Sequence, residues 1–303
     1  KLSMNLQNIR SNLKYRQSFA SPMDHGVHTV SLLNVFSLDA PLIAIVWQFV
    51  ISKSISLELS PHHHLILGLS VWLAYSADRF SEPHSHDLPK AKRHEIFSRH
   101  KLAFSSLWFV SFIIVLCFSV RYLEVDCILL GIPLFALCLG NFILCRFESR
   151  YGFASKCAKE FRTASIFSLG CVFFPFYETP LEGRELLSYW LVPFVLFLIN
   201  CLCVSQWEWR EDEKRENLSW LQKRPEFLRT LIWAKYPCVV LCGLIACRYG
   251  MAGNLFMHAF CILSSVILID RLMAENQGKR EVIDWIYWLL PLTLLGMENV
   301  FQF

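Results

Sequence analysis

The sequence has few charged residues for its length. Asp, Glu, Lys and Arg make up 18% of 303 residues, whereas a soluble globular domain carries roughly 25%. The net charge is only +4, and no basic stripe with interleaved aromatic residues occurs, so we expect no nucleic-acid partner. Since 54% of the residues are hydrophobic, the composition favours a membrane protein over a soluble domain.

Several motifs with a known chemistry are also missing. The sequence contains no glycine-rich phosphate loop, no nucleophile elbow and no internal repeat. Twelve cysteines are present, but no CxxC…CxxC spacing that is typical of zinc sites occurs. Most of these cysteines fall inside apolar runs, so we expect reduced structural thiols.

The first 30 residues are polar and lack the apolar core of a cleavable signal peptide. We therefore expect a cytoplasmic tail at residues 1–30 and a single transmembrane domain at residues 31–303. The first apolar segment then serves as the insertion signal.

Nine apolar runs approach the roughly 20 residues that a spanning helix needs. They lie at 33–52, 65–80, 102–120, 128–145, 163–177, 189–207, 230–247, 255–272 and 283–301. The predicted fold is therefore an all-α polytopic bundle of nine transmembrane helices.

Basic residues concentrate in alternate loops. The N-terminal tail and the second, fourth, sixth and eighth loops carry 24 of the 29 Lys and Arg residues. Because such residues are enriched on the cytoplasmic side, we expect a cytoplasmic N-terminus and a C-terminus on the opposite side. The protein is then a multi-pass integral membrane protein in contact with membrane lipid, and we expect a bacterial inner membrane.

Two carboxylate pairs stand at the predicted cytoplasmic ends of the second and sixth spans. Asp78 and Glu82 are four residues apart, as are Glu208 and Asp212, so each pair shares one helix face. Such oxygen ligands suit Mg²⁺, which reaches proteins through a few carboxylates together with substrate phosphates. The pattern predicts a Mg²⁺ site between the two helices. The alternative is four ordinary interfacial charges that are solvated by water.

A basic pair precedes the fifth span on the same side. Lys159 and Arg162 lie three residues apart on one face of a helix start, where the positive end of the helix dipole favours phosphate. The alternative is that these residues anchor a loop to anionic lipid. Anchoring explains Lys156 better than Arg162, which lies at the edge of the apolar run.

These segments resemble the motifs of the UbiA superfamily of intramembrane prenyltransferases. Residues 74–82 (AYSADRFSE) are similar to the first motif, N-D-x-x-D-x-x-x-D, and residues 208–212 (EWRED) to the second, D-x-x-x-D. Residues 159–170 resemble a K-R-x-T…L-G element, and residues 37–41 resemble the charged, proline-containing entry to the first helix. Nine helices with the N-terminus inside is also the topology of that family, so the resemblance covers nearly the whole chain.

The resemblance implies Mg²⁺-dependent transfer of a prenyl group from an allylic prenyl diphosphate to a hydrophobic acceptor. It assigns catalysis and metal binding to Asp78, Glu82, Glu208 and Asp212, and diphosphate binding to Lys159, Arg162 and Arg79. Further candidates are Glu211, Tyr75 and Asp270.

The first motif departs from the family pattern. Ala74 and Tyr75 replace its Asn and first Asp, and Glu82 replaces its last Asp. Tyr75 supplies no carboxylate, so a second metal ion has fewer ligands. A competing prediction is a protein of the same fold that binds a lipid or prenyl ligand without transferring it. A transporter is disfavoured, because the charges cluster at one surface and not near the membrane midplane.

Polar residues near the other helix ends allow two smaller predictions. The residues His62, His63 and His64 are expected to form a solvated turn. Lys235, Asp270 and Arg271 are costly against lipid, so all three are expected to point into the bundle.

Overall fold

The computed structural model describes residues 36–81, 101–151, 158–179, 183–214, 218–249, 254–273 and 278–301. The predicted tail at 1–30 and Glu82 lie outside these ranges. Within them the chain forms helices and no strand. The helices are α1 (Asp39–Ser54), α2 (Pro61–Ser81), α3 (Lys101–Tyr122), α4 (Val125–Tyr151), α5 (Lys159–Glu178), α6 (Gly183–Trp207), α7 (Trp209–Lys214), α8 (Pro225–Trp233), α9 (Lys235–Tyr249), α10 (Asn254–Leu272) and α11 (Lys279–Phe301).

Five stretches of these helices are long and apolar enough to cross a membrane. They are Leu102–Tyr122, Val125–Glu148, Leu186–Trp207, Pro225–Arg248 and Leu255–Leu272. The predicted spans at 33–52, 65–80, 163–177 and 283–301 overlap α1, α2, α5 and α11, which do not meet that criterion. Within the described ranges, an all-helical fold with five helices long and apolar enough to span a membrane is therefore confirmed, whereas the count of nine spans and the orientation stay predictions.

The apolar helices α3 and α4 lie at the periphery of the bundle. Only 11% of the spanning window of α3 and 6% of that of α4 are buried, and large side chains such as Leu102, Phe109 and Phe135 are exposed. Helices that are apolar on every side and lie at the periphery are consistent with contact with membrane lipid.

Helix α1 lies at the centre of the bundle. It packs against α2, α5, α10 and α11, and Trp47, Val50 and Ile51 are fully buried. The Trp47 indole N–H donates a hydrogen bond of 3.1 Å to the Tyr287 backbone carbonyl of α11. The helices packed in the interior of the bundle also carry buried polar side chains, because ionisable groups are energetically costly in contact with lipid.

The predicted span at 230–247 lies within the apolar stretch Pro225–Arg248, but its helical hydrogen bonding is interrupted at Ala234. Helix α8 ends at Trp233 and α9 begins at Lys235, with a turn at Ala234. Pro237 has no N–H to donate to the Trp233 carbonyl, so the helical ladder is interrupted there. The break places Lys235 in the first turn of α9, buried inside the bundle.

The prediction of a solvated turn at the three histidines is wrong. Pro61 begins α2, because a proline fits the first turn, where its missing N–H is not needed. His63 and His64 are therefore helical and buried. The His63 ring stacks on Phe174, and the His64 ring stacks on Phe49.

The described cysteines are all free, and several are buried between helices. Cys171 and Cys203, for example, belong to the hydrophobic core. Within the described ranges the cysteines thus behave as small core residues, as their positions in apolar runs predict.

Candidate functional site

The charged helix ends meet at one end of the bundle, here called the polar end. It contains the starts of α1, α5, α9 and α11 and the ends of α2, α6 and α10, with Asp39, Asp78, Lys159, Glu208, Lys235, Asp270 and Lys279. Contacts between the helices fix this arrangement. The Ser205 hydroxyl of α6 bonds to Glu160 of α5, and Arg280 of α11 contacts Glu208.

The structure brings the predicted residues of α2, α5 and α6 to this same end. Asp78 and Lys159 are exposed, while Tyr75, Arg162 and Glu208 are partly buried. Asp212, on the short helix α7, and Asp270, at the end of α10, are partly buried as well. The side chains of Arg79, Glu82 and Glu211 lie outside the described part of the chain.

Glu208 is held by a cation from α11. Its Oε1 lies 2.6 Å from Nη1 of Arg280, and Nε of Arg280 lies 3.9 Å from Oδ2 of Asp284. Glu208 and Arg280 are each about one-third exposed at the side chain. A charge-assisted bond of this length in a partly dry site is a strong contact.

Asp212 is positioned by the segment that follows α7. The Gln222 side-chain amide donates 2.7 Å to Oδ2 of Asp212 and 2.9 Å to the Ser205 backbone carbonyl. The Ser219 backbone N–H in turn donates 2.7 Å to Oε1 of Gln222. Gln222 is therefore a buried brace that ties the segment to the end of α6 and to the second acidic motif.

Glu160 anchors the same segment to α5. This carboxylate is only 4% exposed, and its Oε1 accepts hydrogen bonds from the hydroxyls of Ser205 at 2.9 Å and Ser219 at 2.7 Å. Its Oε2 is buried without a partner among the described residues. A buried carboxylate atom without a partner is costly, so it marks a place where water or a ligand donor fits.

Arg162, which the sequence predicts to bind diphosphate, joins α5 to α4. Its Nη1 and Nη2 donate to the two Glu148 oxygens at 3.0 and 2.7 Å. Its Nε donates 2.9 Å to Oδ1 of Asn141. Most of the guanidinium is thereby engaged in a bidentate ion pair within the protein.

Asp270 is the centre of a second ionic cluster. Its Oδ2 lies 2.5 Å from Nζ of Lys235, its Oδ1 lies 3.6 Å from Nζ of Lys279, and the Trp207 indole N–H donates 3.2 Å to Oδ1. Lys235 is 2% exposed. The predicted inward orientation is thus confirmed for Lys235 and Asp270, which join α6, α9, α10 and α11 in this cluster. It is wrong for Arg271, which is exposed at the end of α10.

Aromatic rings lie directly below the polar end. The ring centroids of Tyr75 and Phe167 are 6.5 Å apart, and those of Phe167 and Phe197 are 4.7 Å apart. Phe197 also contacts Trp47 at 5.7 Å and Tyr287 at 6.2 Å. Five helices each contribute one ring to this apolar interior.

The described residues do not by themselves make a metal cage. Within the described ranges, no three His, Cys, Asp or Glu side chains are placed to share a metal ion. Mg²⁺ commonly uses only one or two protein carboxylates and takes its other oxygens from water and substrate phosphates. The Oε1 of Glu208 already has a cation, Arg280, as its partner, whereas Oδ2 of Asp212 accepts a hydrogen bond from the neutral amide of Gln222.

Several residues of the polar end belong to none of the motifs identified in the sequence. Arg280 and Asp284 belong to no predicted pair, although Asp284 stands inside an apolar run, where an ionisable residue is a functional signal. Glu160 lies between the two predicted basic residues, but no predicted motif includes it. Gln222 carries no sequence signal, because its role depends on how the chain folds back after α7.

No protein-family model, curated protein or solved structure matches the chain. The function therefore has to be inferred from the residues and the geometry of the polar end.

Proposed function

We propose that the protein is a prenyltransferase similar to the UbiA superfamily, embedded in the membrane as a nine-helix bundle with a cytoplasmic N-terminus. It transfers a prenyl group from an allylic prenyl diphosphate to a hydrophobic acceptor, for which an aromatic ring is the first candidate. The reaction depends on Mg²⁺.

One observation carries this proposal. Acidic and basic side chains from α2, α5, α6 and α7 share one end of the bundle, and the aromatic rings around Phe197 lie immediately inside it. A prenyl diphosphate has the same two parts, a polyanionic head and an apolar tail. The arrangement therefore matches this substrate class in charge and in polarity.

The proposed reaction begins with cleavage of the bond between the first prenyl carbon and the diphosphate oxygen. The diphosphate leaves with the electron pair, and the positive charge of Lys159 stabilises it. Asp78 and Asp212 would hold a Mg²⁺ ion, which would neutralise further negative charge on the leaving diphosphate.

The allylic cation that remains lies among aromatic faces. The rings of Tyr75 and Phe167 are suited to stabilise a cation by their quadrupoles, and the apolar interior excludes water that would quench it. The acceptor then forms a bond with the allylic carbon and loses a proton to the released diphosphate.

The test is a membrane assay of prenyl transfer and diphosphate release from labelled geranyl, farnesyl and longer prenyl diphosphates, with and without Mg²⁺. The substitutions Asp78→Asn and Asp212→Asn should reduce transfer by at least about 100-fold, the scale of losing one charge-stabilising group. The matched control is Asp126→Asn, an exposed aspartate in the first turn of α4 at the opposite end. Full activity in both polar-end variants contradicts the proposal.

A ligand-binding protein without transferase activity is the second candidate. It is favoured by the ion pairs of Glu208 with Arg280 and of Arg162 with Glu148, because the predicted site residues Glu208 and Arg162 are then engaged within the chain. This candidate predicts prenyl-ligand binding with no diphosphate release under any metal condition. A transporter is a third and less favoured candidate, as the charges of the polar end lie at one end of the helices.

A further inference from the structure

Arg280 lies among three carboxylates from three parts of the chain. Glu208 and Asp284 contact its guanidinium at 2.6 and 3.9 Å, and Asp39 of α1 lies within electrostatic range of it. Asp39 is 8% exposed, and its Oδ1 has no hydrogen-bond partner among the described residues. Tyr75 lies within electrostatic range of the same guanidinium.

Most N–H donors of the Arg280 guanidinium are not engaged by the described residues. A guanidinium carries five N–H donors, and one of the Nη1 donors bonds to Glu208. The Nε–Asp284 distance of 3.9 Å is too long for a hydrogen bond. Within the described ranges, the remaining N–H groups have no acceptor, although the side chain is about 29% exposed and so accessible to a ligand. The planar fork of a guanidinium matches phosphate oxygens in pairs.

The position of Arg280 also conflicts with Glu208 as a metal ligand. A Mg²⁺ ion needs carboxylate oxygens at about 2.0–2.1 Å in near-octahedral geometry, and Oε1 of Glu208 faces a guanidinium instead. Two cations on the same carboxylate repel each other. The guanidinium of Arg280 is thus the cation that faces the second acidic motif, and it belongs to the chain itself.

We infer that Arg280 is a diphosphate-binding residue, with Glu208 as the positioning residue that holds its guanidinium toward the polar end. Glu208 is then not a metal ligand, and the protein needs metal only on the side of Asp78 and Asp212. The prenyl donor as the natural ligand rests on the proposed function, whereas the anion site at Arg280 and the metal-free Glu208 do not.

The first experiment measures binding to the purified full-length chain in lipid nanodiscs by calorimetry. The probes are inorganic pyrophosphate and farnesyl thiodiphosphate, each with excess EDTA and with saturating Mg²⁺. We expect Arg280→Ala to weaken both probes by about tenfold or more in both conditions, as for loss of a charged hydrogen bond. We expect Arg280→Lys to restore part of the affinity only, because an ammonium lacks the fork that binds two oxygens. The matched control is Arg248→Ala, an exposed arginine in the last turn of α9 at the opposite end.

The second experiment measures Mn²⁺ binding by electron paramagnetic resonance, in the presence of pyrophosphate. Glu208→Gln should leave the Mn²⁺ affinity within about twofold of that of the wild type, since its amide oxygen still accepts from Arg280, whereas Asp212→Asn should weaken it by about tenfold. Removal of Arg280 alone leaves Glu208 without its partner and endangers folding. The double variant Glu208→Gln/Arg280→Gln removes both charges and should still lose pyrophosphate affinity.

The outcomes separate this inference from the proposed function. Loss of Mn²⁺ affinity in Glu208→Gln equal to that in Asp212→Asn overturns the role of Glu208. Unchanged pyrophosphate affinity in Arg280→Ala and in the double variant overturns the role of Arg280, even if prenyl transfer is found. Pyrophosphate binding that depends on Arg280, in a protein that transfers no prenyl group, supports the anion site and overturns the transferase.

Discussion

The Gln222 side-chain amide lies 2.7 Å from Oδ2 of Asp212, across the loop that follows the second acidic motif. The same amide bonds to the Ser205 carbonyl, so the position of Asp212 is tied to the end of α6. A carboxylate that binds a ligand gains from such a fixed position, because its rotamers are restricted before the ligand arrives.

Gln222→Ala should therefore destabilise the protein and weaken the function of Asp212. The substitution removes three side-chain hydrogen bonds, each worth about 0.5–1.5 kcal/mol, which lowers the unfolding temperature by several degrees. Thermal unfolding in detergent measures the first effect and farnesyl thiodiphosphate binding the second. Gln206→Ala, in a neighbouring α6 position, is the control. Equal behaviour of the two variants excludes a role for the brace.

The Arg162–Glu148 pair should show strong coupling between α5 and α4. We expect a double-mutant cycle of Arg162→Ala and Glu148→Ala to give about 1.5–3 kcal/mol of coupling in the free energy of unfolding, because the bond is bidentate and mostly buried. The exposed pair Arg229–Glu226 is the control and should give much weaker coupling. Equal coupling in the two cycles contradicts a structural role for Arg162.

Asp270 should matter more for stability than either of its lysine partners. Asp270→Asn leaves two buried lysines, Lys235 and Lys279, without a carboxylate. Lys235→Met leaves the ion pair of Asp270 and Lys279, whose net charge is zero. Breaking a buried pair costs about 3–5 kcal/mol, and we expect the lower part of this range since Asp270 is partly exposed. Chemical unfolding should rank Asp270→Asn as clearly less stable than Lys235→Met. The reverse order rules out this charge balance.

Two helical glycines should respond differently to alanine. A Cβ at Gly68 of α2 would lie 2.6 Å from Cδ1 of Ile45 in α1, whereas one at Gly140 of α4 meets nothing within 4 Å. Alanine is favoured over glycine in a helix by about 1 kcal/mol, so Gly140→Ala should raise the unfolding temperature. Gly68→Ala should raise it less, because the Ile45 side chain has to rotate away from the new methyl group. Equal stabilisation by both substitutions argues against a close α1–α2 contact.

Particular residues show where sequence reasoning succeeds. The low charge content and the apolar runs predict a helical membrane protein, because no other backbone arrangement built from such runs satisfies its hydrogen bonds in lipid. Lys235 and Asp270 are predicted to face inward, and they form an ion pair there.

Other residues show where sequence reasoning fails. The break at Ala234 follows from Pro237, yet the apolar run passes through both residues without a gap. The histidines at the start of α2 look solvated in sequence, but aromatic rings from α1 and α5 cover them. For the histidines the deciding neighbours lie on other helices, outside the local sequence window.

The sequence by itself determined the helical class, the apolar runs long enough to span a membrane and the clustering of charge at alternate helix ends, since these follow from local composition and period. Only the tertiary structure decided the partner of each charge. Glu208 and Arg280 are separated by more than 70 positions, as are Asp39 and the residues around it on α11. Their pairing depends on how α1, α6 and α11 pack together, and helix packing is fixed by side-chain shape across the whole bundle.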